Sequence, residues 1–424
     1  MIGQQIHDFA RELWPLNRSL TGEGVRETLK KIQLLLPELK IKSIPSGTKV
    51  FDWEIPKEWQ VREAYIETPL GEKICDFSKN NLYLLGYSSP FKGKLTLEEL
   101  KKHLHTLPSQ PSAIPYVTSY YKRRWGFCIS QNELNSLIDG VYKVVIDSFF
   151  LDGELNYGEI IIPGTSKKEV FLSTYICHPS MANNELSGIT VTTFLGQWIQ
   201  RLKNRRFTYR IIFIPETIGS ISYLSIHHIK MKKNVFAGFN ISCIGDERAY
   251  SYLPSRKGDT LSDKVAIHVL KWTDPKYKKY SWFDRGSDER QYCSPFIDLP
   301  IASILRSKFG EYPEYHTSLD NLENVVTPLG LDGGYLILQK ALELIEKNLK
   351  YRVLVKCEPH MSKRGLFPTL SKKGQKNDIR FMMDFISLCD GNTSLIEIAD
   401  RMNYPCWEFY ELIDKLISHE IITA

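Results

Sequence analysis

The strongest constraint on the fold is an alternation of short apolar segments with helical segments between residues 165 and 350. Four short segments are rich in β-branched and aromatic side chains, at 169–176, 209–215, 235–243 and 299–305. Helical segments lie between them, and a long amphipathic one at 327–348 follows the last. Because neighbouring parallel strands are joined through helical crossovers, this pattern predicts an α/β fold with a mainly parallel sheet and helices on both faces.

The remaining sequence divides into three further parts. Residues 51–150 are rich in proline, glycine and aromatic residues, which predicts a small, mostly β domain inserted into an α/β domain formed by 1–50 and 151–350. Residues 358–376 are basic and aperiodic, as is typical of a linker. Residues 377–424 hold three short amphipathic segments spaced as in a winged-helix-like domain, with little room for a wing.

Charge and composition narrow the classes of function. The net charge of +6 over 424 residues is small for a protein whose main activity is nucleic-acid binding. The last helical segment carries Glu408, Glu411 and Asp414, which repel phosphate, so we expect 377–424 to pack, to dock a protein partner or to self-associate. Without a visible signal peptide, an apolar span of about 20 residues or a Cys-x-x-Cys pair, we expect a cytoplasmic protein with reduced thiols.

Polar residues follow the predicted strands where the strands would end at one edge of the sheet. His178 comes after the first strand, Glu216 after the second, Asp288 before the fourth and His316 after it. Each residue alone is typical of a structural histidine or a solvated carboxylate. Together they indicate a metal site, because imidazole and carboxylate groups at an open sheet edge are the ligands of catalytic zinc.

At these residues the sequence resembles the zinc aminopeptidases with two co-catalytic metals, and the resemblance implies a zinc-exopeptidase-like fold. It resembles more closely the aminopeptidase-like proteins of bacterial surface-polysaccharide biosynthesis, which carry an inserted β domain and a C-terminal winged helix. The family pattern is a His, then Asp-Asn-x-Ser-Gly, Glu-Glu-x-x-Gly, Ser-Asp and His-Thr-x-x-Asp. The corresponding segments here are, in the same order, His178, 184–188, 216–219, 287–288 and 316–320.

The resemblance implies a role for each matched residue. His178 and Asp288 would hold one metal, and His316 would hold the second. Glu216 would be the general base that takes a proton from the attacking water.

Two positions depart from the family pattern. Asn184 is neutral where the family has the aspartate that bridges both metals, and Thr217 is neutral where the family has a second glutamate ligand. Asp288 then remains as the one matched metal ligand with a negative charge. A single carboxylate balances the four positive charges of two divalent ions poorly. We therefore expect one zinc ion, held by the two histidines and Asp288 with Asn184 or Glu185 nearby. A two-zinc site in which Glu185 supplies a carboxylate, and loss of the metal, stay open.

Other residues are candidates for contact with the substrate or for chemistry of their own. Tyr120 and Trp125 belong to an aromatic and cationic stretch that suits a sugar or an acidic ligand, although packing of the small domain is the more common use. Glu185 and Arg290 adjoin the ligand segments and are further substrate-binding candidates. Cys177 is expected to pack in the core rather than to act as a nucleophile or ligand.

The resemblance implies a metal-dependent, aminopeptidase-like hydrolase that cleaves an amide bond in a peptide, an N-acylated sugar or its carrier, in surface-polysaccharide biosynthesis. The alternative is a catalytically decayed aminopeptidase-like module for binding or assembly, whose metal centre was lost through Asn184 and Thr217. Retention of two histidines and of Glu216 favours the enzyme, because decayed sites tend to lose buried polar residues that destabilise the fold.

Overall fold

The computed structural model describes residues 1–120, 122–366 and 375–424. Its α-helices are α1 (Ile2–Leu13), α2 (Glu23–Leu35), α3 (Leu97–Lys101), α4 (Gln131–Asn135), α5 (Ser187–Arg201), α6 (Ile218–Asn234), α7 (Leu261–Thr273), α8 (Glu289–Tyr292), α9 (Pro328–Lys347), α10 (Gln375–Leu388), α11 (Leu395–Met402) and α12 (Tyr410–Ser418). Over this part of the chain, no helix combines the length and the apolarity that a membrane crossing requires.

The strands are β1 (Lys40–Pro45), β2 (Lys49–Val50), β3 (Trp53–Glu54), β4 (Glu58–Glu67), β5 (Lys73–Ile74), β6 (Phe91–Thr96), β7 (Leu104–His105), β8 (Phe127–Cys128), β9 (Val141–Leu151), β10 (Glu154–Ile162), β11 (Glu169–Tyr175), β12 (Thr208–Ile214), β13 (Val235–Asn240), β14 (Ser251–Leu253), β15 (Lys278–Lys279), β16 (Ile301–Leu305), β17 (Arg352–Val353) and β18 (Ile422–Thr423).

The main sheet confirms the predicted α/β architecture. Among the described residues its strand order is β1-β10-β12-β11-β13-β16-β14-β15. The four strands predicted from apolar runs, β11, β12, β13 and β16, form its parallel centre. β1 and β10 extend one side in antiparallel pairing, and β14 adds antiparallel to β16 on the other. The centre is apolar on both faces because both faces are covered.

Alternate residues of β11 face two different layers. Val170 and Leu172 belong to a core cluster shared with α1, α2, α5, α7 and α9. Phe171 belongs to a second cluster shared with α6, α8 and the inserted domain. Since successive side chains of a strand point to opposite faces, helices cover both faces, as predicted.

The inserted segment forms its own antiparallel sheet in the order β5-β4-β9-β6. Its long strands β4 and β9 pair along most of their length, with Ala64 opposite Ile146. Both residues are buried in the cluster that reaches the main sheet. The small domain therefore packs directly on the α/β domain and can contribute residues to its sheet edge.

The carboxyl-terminal part contains α10, α11 and α12 together with a short antiparallel pair of strands, in which Val353 lies opposite Ile422. The sequence predicted little room for a wing because few residues come after the third helix. One strand of the pair instead comes from residues before the first helix. Residues 367–374 of the predicted linker 358–376 lie outside the described residues.

Candidate functional site

The candidate ligands meet at the carboxyl edge of the parallel strands. His178 lies just beyond the end of β11 and Glu216 just beyond the end of β12. Asp288 immediately precedes α8, and His316 lies in the loop between β16 and α9. The imidazole rings of the two histidines are 5.5 Å apart between centroids. The fold thus gathers residues that are up to 138 positions apart in the chain.

The two ring nitrogens of His178 face different carboxylates. Nδ1 lies 2.9 Å from Oε2 of Glu185, and Nε2 lies 3.8 Å from Oε2 of Glu216. The residue is buried, with 5% of its surface exposed. Since the Nδ1 side is taken by a carboxylate, Nε2 is the nitrogen directed towards the other site residues.

Glu216 is fixed through its other carboxylate oxygen. The hydroxyl of Ser287 donates to Oε1 at 2.8 Å, while Oε2 stays on the side of His178. Burial raises the pKa of Glu216, opposed by the charge of His178 and by the Ser287 hydrogen bond. A carboxyl with a raised pKa in this position is suited to accepting and returning a proton.

Asp288 and His316 each hold one buried atom without a hydrogen-bond partner. One oxygen of Asp288 accepts from the backbone N–H of Thr217 and from the hydroxyl of Ser220, both at 2.7 Å. Across the described residues, neither Oδ2 of Asp288 nor Nε2 of His316 has a partner. Leaving buried polar atoms unpaired destabilises a fold by about 1–3 kcal/mol each.

These two atoms fit the chemistry of a bound zinc ion. An imidazole nitrogen and a carboxylate oxygen are ordinary zinc donors. Among the described residues, the ligand atoms of His178, Asp288 and His316 do not all lie within 4.8 Å of one another, so one ion could bind all three only after these side chains move closer together. Burial, followed by repulsion from His178, lowers the pKa of His316 to about 3, so its ring is neutral as a ligand must be. Burial opposes the charge of His178, but its contacts with Cys177, Tyr116 and Glu185 prevail and raise its pKa, so His178 would have to release a proton to bind a metal ion. Burial and the charge of Glu216 raise the pKa of Asp288 to about 8, as expected of a carboxyl that lacks a cation.

Among the described residues, one group of three possible metal-binding side chains has its ligand atoms close together, and this group lies on the other side of His178. Ligand atoms of Cys177, His178 and Glu185 fall within 4.8 Å of one another, and all three residues are buried. Nε of the fully buried Arg18 lies 3.4 Å from Oε1 of Glu185. Burial raises the pKa of Cys177 to about 11, which keeps the thiol neutral. A guanidinium beside a neutral thiol disfavours a metal ion on this side.

Asn184 lies in a wide helical turn, Ala182–Leu186, that leads into α5. Its amide oxygen accepts from the hydroxyl of Tyr175 at 2.9 Å, and its amide nitrogen donates to the sulfur of Met181. The carboxylate of Asp320 accepts from the backbone N–H groups of Asn183 and Asn184, at 2.7 and 2.9 Å. The aspartate of the His-Thr-x-x-Asp segment therefore holds the turn that carries Asn184.

The residues predicted to bind the substrate differ in their exposure to solvent and in their hydrogen-bond partners. Arg290 is exposed, and its Nη2 donates to Oγ1 of Thr217 at 3.2 Å. The hydroxyl of Tyr120 shares a 2.8 Å hydrogen bond with that of Tyr116. Glu185, by contrast, is fully buried.

Trp125 is packed inside the inserted domain. It stacks between the rings of Phe91 and His103, at 4.0 and 3.7 Å between centroids. These contacts are those of a packing residue, so a substrate-binding role for Trp125 gains no support from them. Tyr121, in the same aromatic stretch, lies outside the described residues.

The inserted domain supplies a site residue that the sequence did not predict. The ring of Tyr116 lies 5.4 Å from that of His178 and 5.3 Å from that of His316. Its backbone N–H donates to the carbonyl of His316 at 2.9 Å. Tyr116 follows no strand of the main sheet, so only its three-dimensional contacts reveal it. Arg18 was missed for the same reason, since it lies in a loop after α1.

Comparisons with known proteins identify the family and the fold of the chain. A family model described as a domain of unknown function, DUF4910, matches residues 7–348, and a winged helix-turn-helix model matches 349–424. A Clostridium acetobutylicum protein, named as a candidate polysaccharide biosynthesis protein with an aminopeptidase-like domain, is 43% identical over 99% of this chain and 96% of its own length. The match to a winged-helix model agrees with the type of domain predicted at the carboxyl terminus.

Two solved structures show the same fold. A candidate peptidase from Clostridium acetobutylicum superimposes with a TM-score of 0.93 at 40% identity, covering 100% of this chain and 96% of that one. A zinc aminopeptidase from Bacillus subtilis superimposes with a TM-score of 0.59 at 11% identity, covering 81% and 94%. At that identity the second likeness concerns the fold alone.

Proposed function

This chain belongs to the DUF4910 family, and from that premise we propose that it is a zinc-dependent, aminopeptidase-like hydrolase of amide bonds. The proposal rests on two buried atoms that lack hydrogen-bond partners among the described residues, Oδ2 of Asp288 and Nε2 of His316, and on the 5.5 Å between the rings of His316 and His178. A zinc ion held by these three residues would supply Lewis acidity towards an amide carbonyl.

Glu216 is the proposed general base. Its Oε1 is held by Ser287, so Oε2 is presented at a fixed position 3.8 Å from Nε2 of His178. In the proposed reaction this carboxylate takes a proton from the attacking water as the new C–O bond forms. It then gives that proton to the leaving nitrogen as the C–N bond breaks, so the carboxylate is regenerated.

The charges at the site support one ion rather than two. Asn184 and Thr217 are neutral where the family pattern has carboxylates. The guanidinium of Arg290 lies against Thr217, with Nη2 at 3.2 Å from Oγ1. A second divalent ion beside Thr217 would be repelled by this cation and would lack an anionic ligand. Arg290 thereby supplies positive charge next to the base and is the proposed contact for an anionic part of the substrate.

The proposed substrate is an amide in a peptide or in an N-acylated sugar or its carrier. The name of the Clostridium acetobutylicum relative, which refers to polysaccharide biosynthesis, favours the sugar-linked substrates. The ring of Tyr116, on the inserted domain, lies 5.4 Å from that of His178, and its hydroxyl shares a hydrogen bond with the hydroxyl of Tyr120. These hydroxyls are the proposed hydrogen-bond partners of the substrate.

The Glu216→Gln variant tests the proposal. We expect hydrolysis of a panel of aminoacyl anilides and N-acetylated amino sugars to fall by about 10²–10⁴-fold, while zinc content stays as in the wild type. The matched control is Glu63→Gln, an exposed carboxylate on the inserted domain, which should leave turnover unchanged. Undiminished turnover in Glu216→Gln would refute the assigned base. A wild-type protein that binds zinc but hydrolyses no amide would favour the binding-module alternative.

A further inference from the structure

Behind His178 lies a buried ion pair that the proposed reaction does not use directly. The side chains of Arg18 and Glu185 both have 0% exposure, with Nε of the arginine 3.4 Å from Oε1 of the glutamate. The second oxygen of Glu185 lies 2.9 Å from Nδ1 of His178. Among the described residues, Oε1 of Glu185 and Nη2 of Arg18 make no hydrogen bond, so these two atoms are held by opposite charge.

We infer that Glu185, locked by Arg18, is the positioning residue that directs Nε2 of His178 to the metal, an inference that rests on the proposed function. The contact at Nδ1 fixes both the rotation of the imidazole ring and the nitrogen that carries the proton. Carboxylates in this position are known to set the tautomer and basicity of metal-binding histidines.

Arg18 locks the arrangement from three directions. Its Nη1 donates to the carbonyl of Leu13 at the end of α1, at 2.7 Å. Its Nε donates to the backbone carbonyl of His178 at 3.1 Å, and the same nitrogen faces Glu185. One guanidinium therefore ties the amino-terminal helix to the backbone of the ligand and to the residue that orients its ring.

This pair also explains the shifted carboxylate in the loop sequence. The family pattern has Asp-Asn where this chain has Asn184-Glu185, so the acidic residue is displaced by one position. In the turn Ala182–Leu186 that displacement moves the carboxylate to the Nδ1 side of His178. There Arg18 balances its charge. The carboxylates that remain beside the proposed ion are those of Asp288 and Glu216. Their two negative charges balance the two positive charges of one zinc ion.

The test compares zinc binding in Glu185→Gln and in the double variant Arg18→Met/Glu185→Gln. The zinc dissociation constant is measured by competition with a chromophoric chelator, and the melting temperature is measured on zinc-free protein. We expect both variants to bind zinc about 10–100-fold more weakly than the wild type. We expect the double variant to melt above the single one, because it leaves no unpaired buried guanidinium.

A buried pair away from the site provides the control. In this pair, Nε of Arg210 lies 2.6 Å from Oε2 of Glu169, and both side chains are buried. The Glu169→Gln variant should therefore lower the melting temperature without weakening zinc binding. If the double variant regains wild-type zinc affinity, the pair is merely structural and the inference is wrong. If the wild type itself binds no zinc, the proposed function fails, and the inference fails with it.

Discussion

Thr217 and His316 both have positive φ angles, 63° and 56°, and Thr217 combines this φ with a ψ of −78°. A β-branched residue such as threonine rarely adopts this region, because its side chain collides with the backbone. At Thr217 the conformation aims the backbone N–H at Asp288 from 2.7 Å. Strained residues of this kind cluster at functional sites, where the surrounding structure stabilises them. The strain therefore supports a functional role for this edge of the sheet.

Restoring the family ligands should convert the proposed one-ion site into a two-ion site. The variant combines Asn184→Asp and Thr217→Glu with Arg290→Met, which removes the neighbouring cation. We expect the zinc content to rise from about one to about two ions per chain, because the second ion then has anionic ligands. Elemental mass spectrometry after dialysis gives the ratio, with Asn184→Asp alone as the control. An unchanged ratio would show that charge does not limit the number of ions.

The positions of His178 and Glu216 at the sheet edge could be predicted from the sequence because each follows an apolar run whose end is visible. The position of Glu185 against Nδ1 of His178 could not, since neighbouring residues of an irregular turn point in directions that the sequence does not specify. Tyr116 and Arg18 reach the site from other parts of the chain through tertiary contacts. No local pattern marks such residues.

Strands β1 and β10 show why the elements were only partly predictable. Both carry charged residues, which hide them from a search for apolar runs. Glu159 of β10 is buried, and its carboxylate accepts from the guanidinium of Arg210 on β12 at 2.8 Å. Lys42 of β1 pairs with the same carboxylate. Ion pairing across neighbouring strands thus adds to the burial of apolar residues such as Ile160 and Ile162 at this side of the sheet.

The contact between α2 and β4 should make stability depend on pH. Nη2 of Arg26 lies 2.7 Å from Oε1 of Glu58, which is buried. Burial of Glu58 opposes its charge, but the hydrogen bonds from Arg26 and Gln60 prevail and lower its pKa. The pair therefore stabilises the fold above the unfolded pKa of about 4.3, and this stabilisation is lost as the pH falls through the folded pKa.

The Arg26→Met variant measures that contribution. At pH 7 we expect its free energy of unfolding in urea to fall by about 1–3 kcal/mol, because Glu58 stays buried without its cation. The difference from the wild type should shrink when both are measured below a pH of about 4. Lys30→Met, which removes an exposed ion pair with Glu27, is the control and should change little. A difference that is constant with pH would contradict the assignment.

At the scale of the whole molecule, the winged-helix domain is docked on the α/β domain. His268 of α7 lies 3.0 Å from Asp400 of α11, and its Nε2 accepts from the backbone N–H of Cys406 at 3.0 Å. Lys340 and Lys347 of α9 lie over the rings of Trp407 and Tyr410 at the start of the third helix. This contact engages the helix that a DNA-binding winged helix would present to the duplex.

Loss of the His268 contact should loosen the docked domain selectively. In His268→Ala we expect faster amide hydrogen exchange in residues 395–418, because a buried polar link across the domain boundary is removed. Exchange in β11 and β12 should stay unchanged. His419→Ala, on the far end of the same domain, is the control. Equal exchange in the wild type and in His268→Ala would show that this contact does not hold the domain.

We propose that one zinc ion binds at the sheet edge through His178. Elemental mass spectrometry of the purified protein, alongside His178→Ala, tests it most directly. We expect about one zinc ion per chain in the wild type and almost none in the variant. Wild-type protein that stays without zinc after zinc is supplied, or a zinc content that the variant retains, would contradict it.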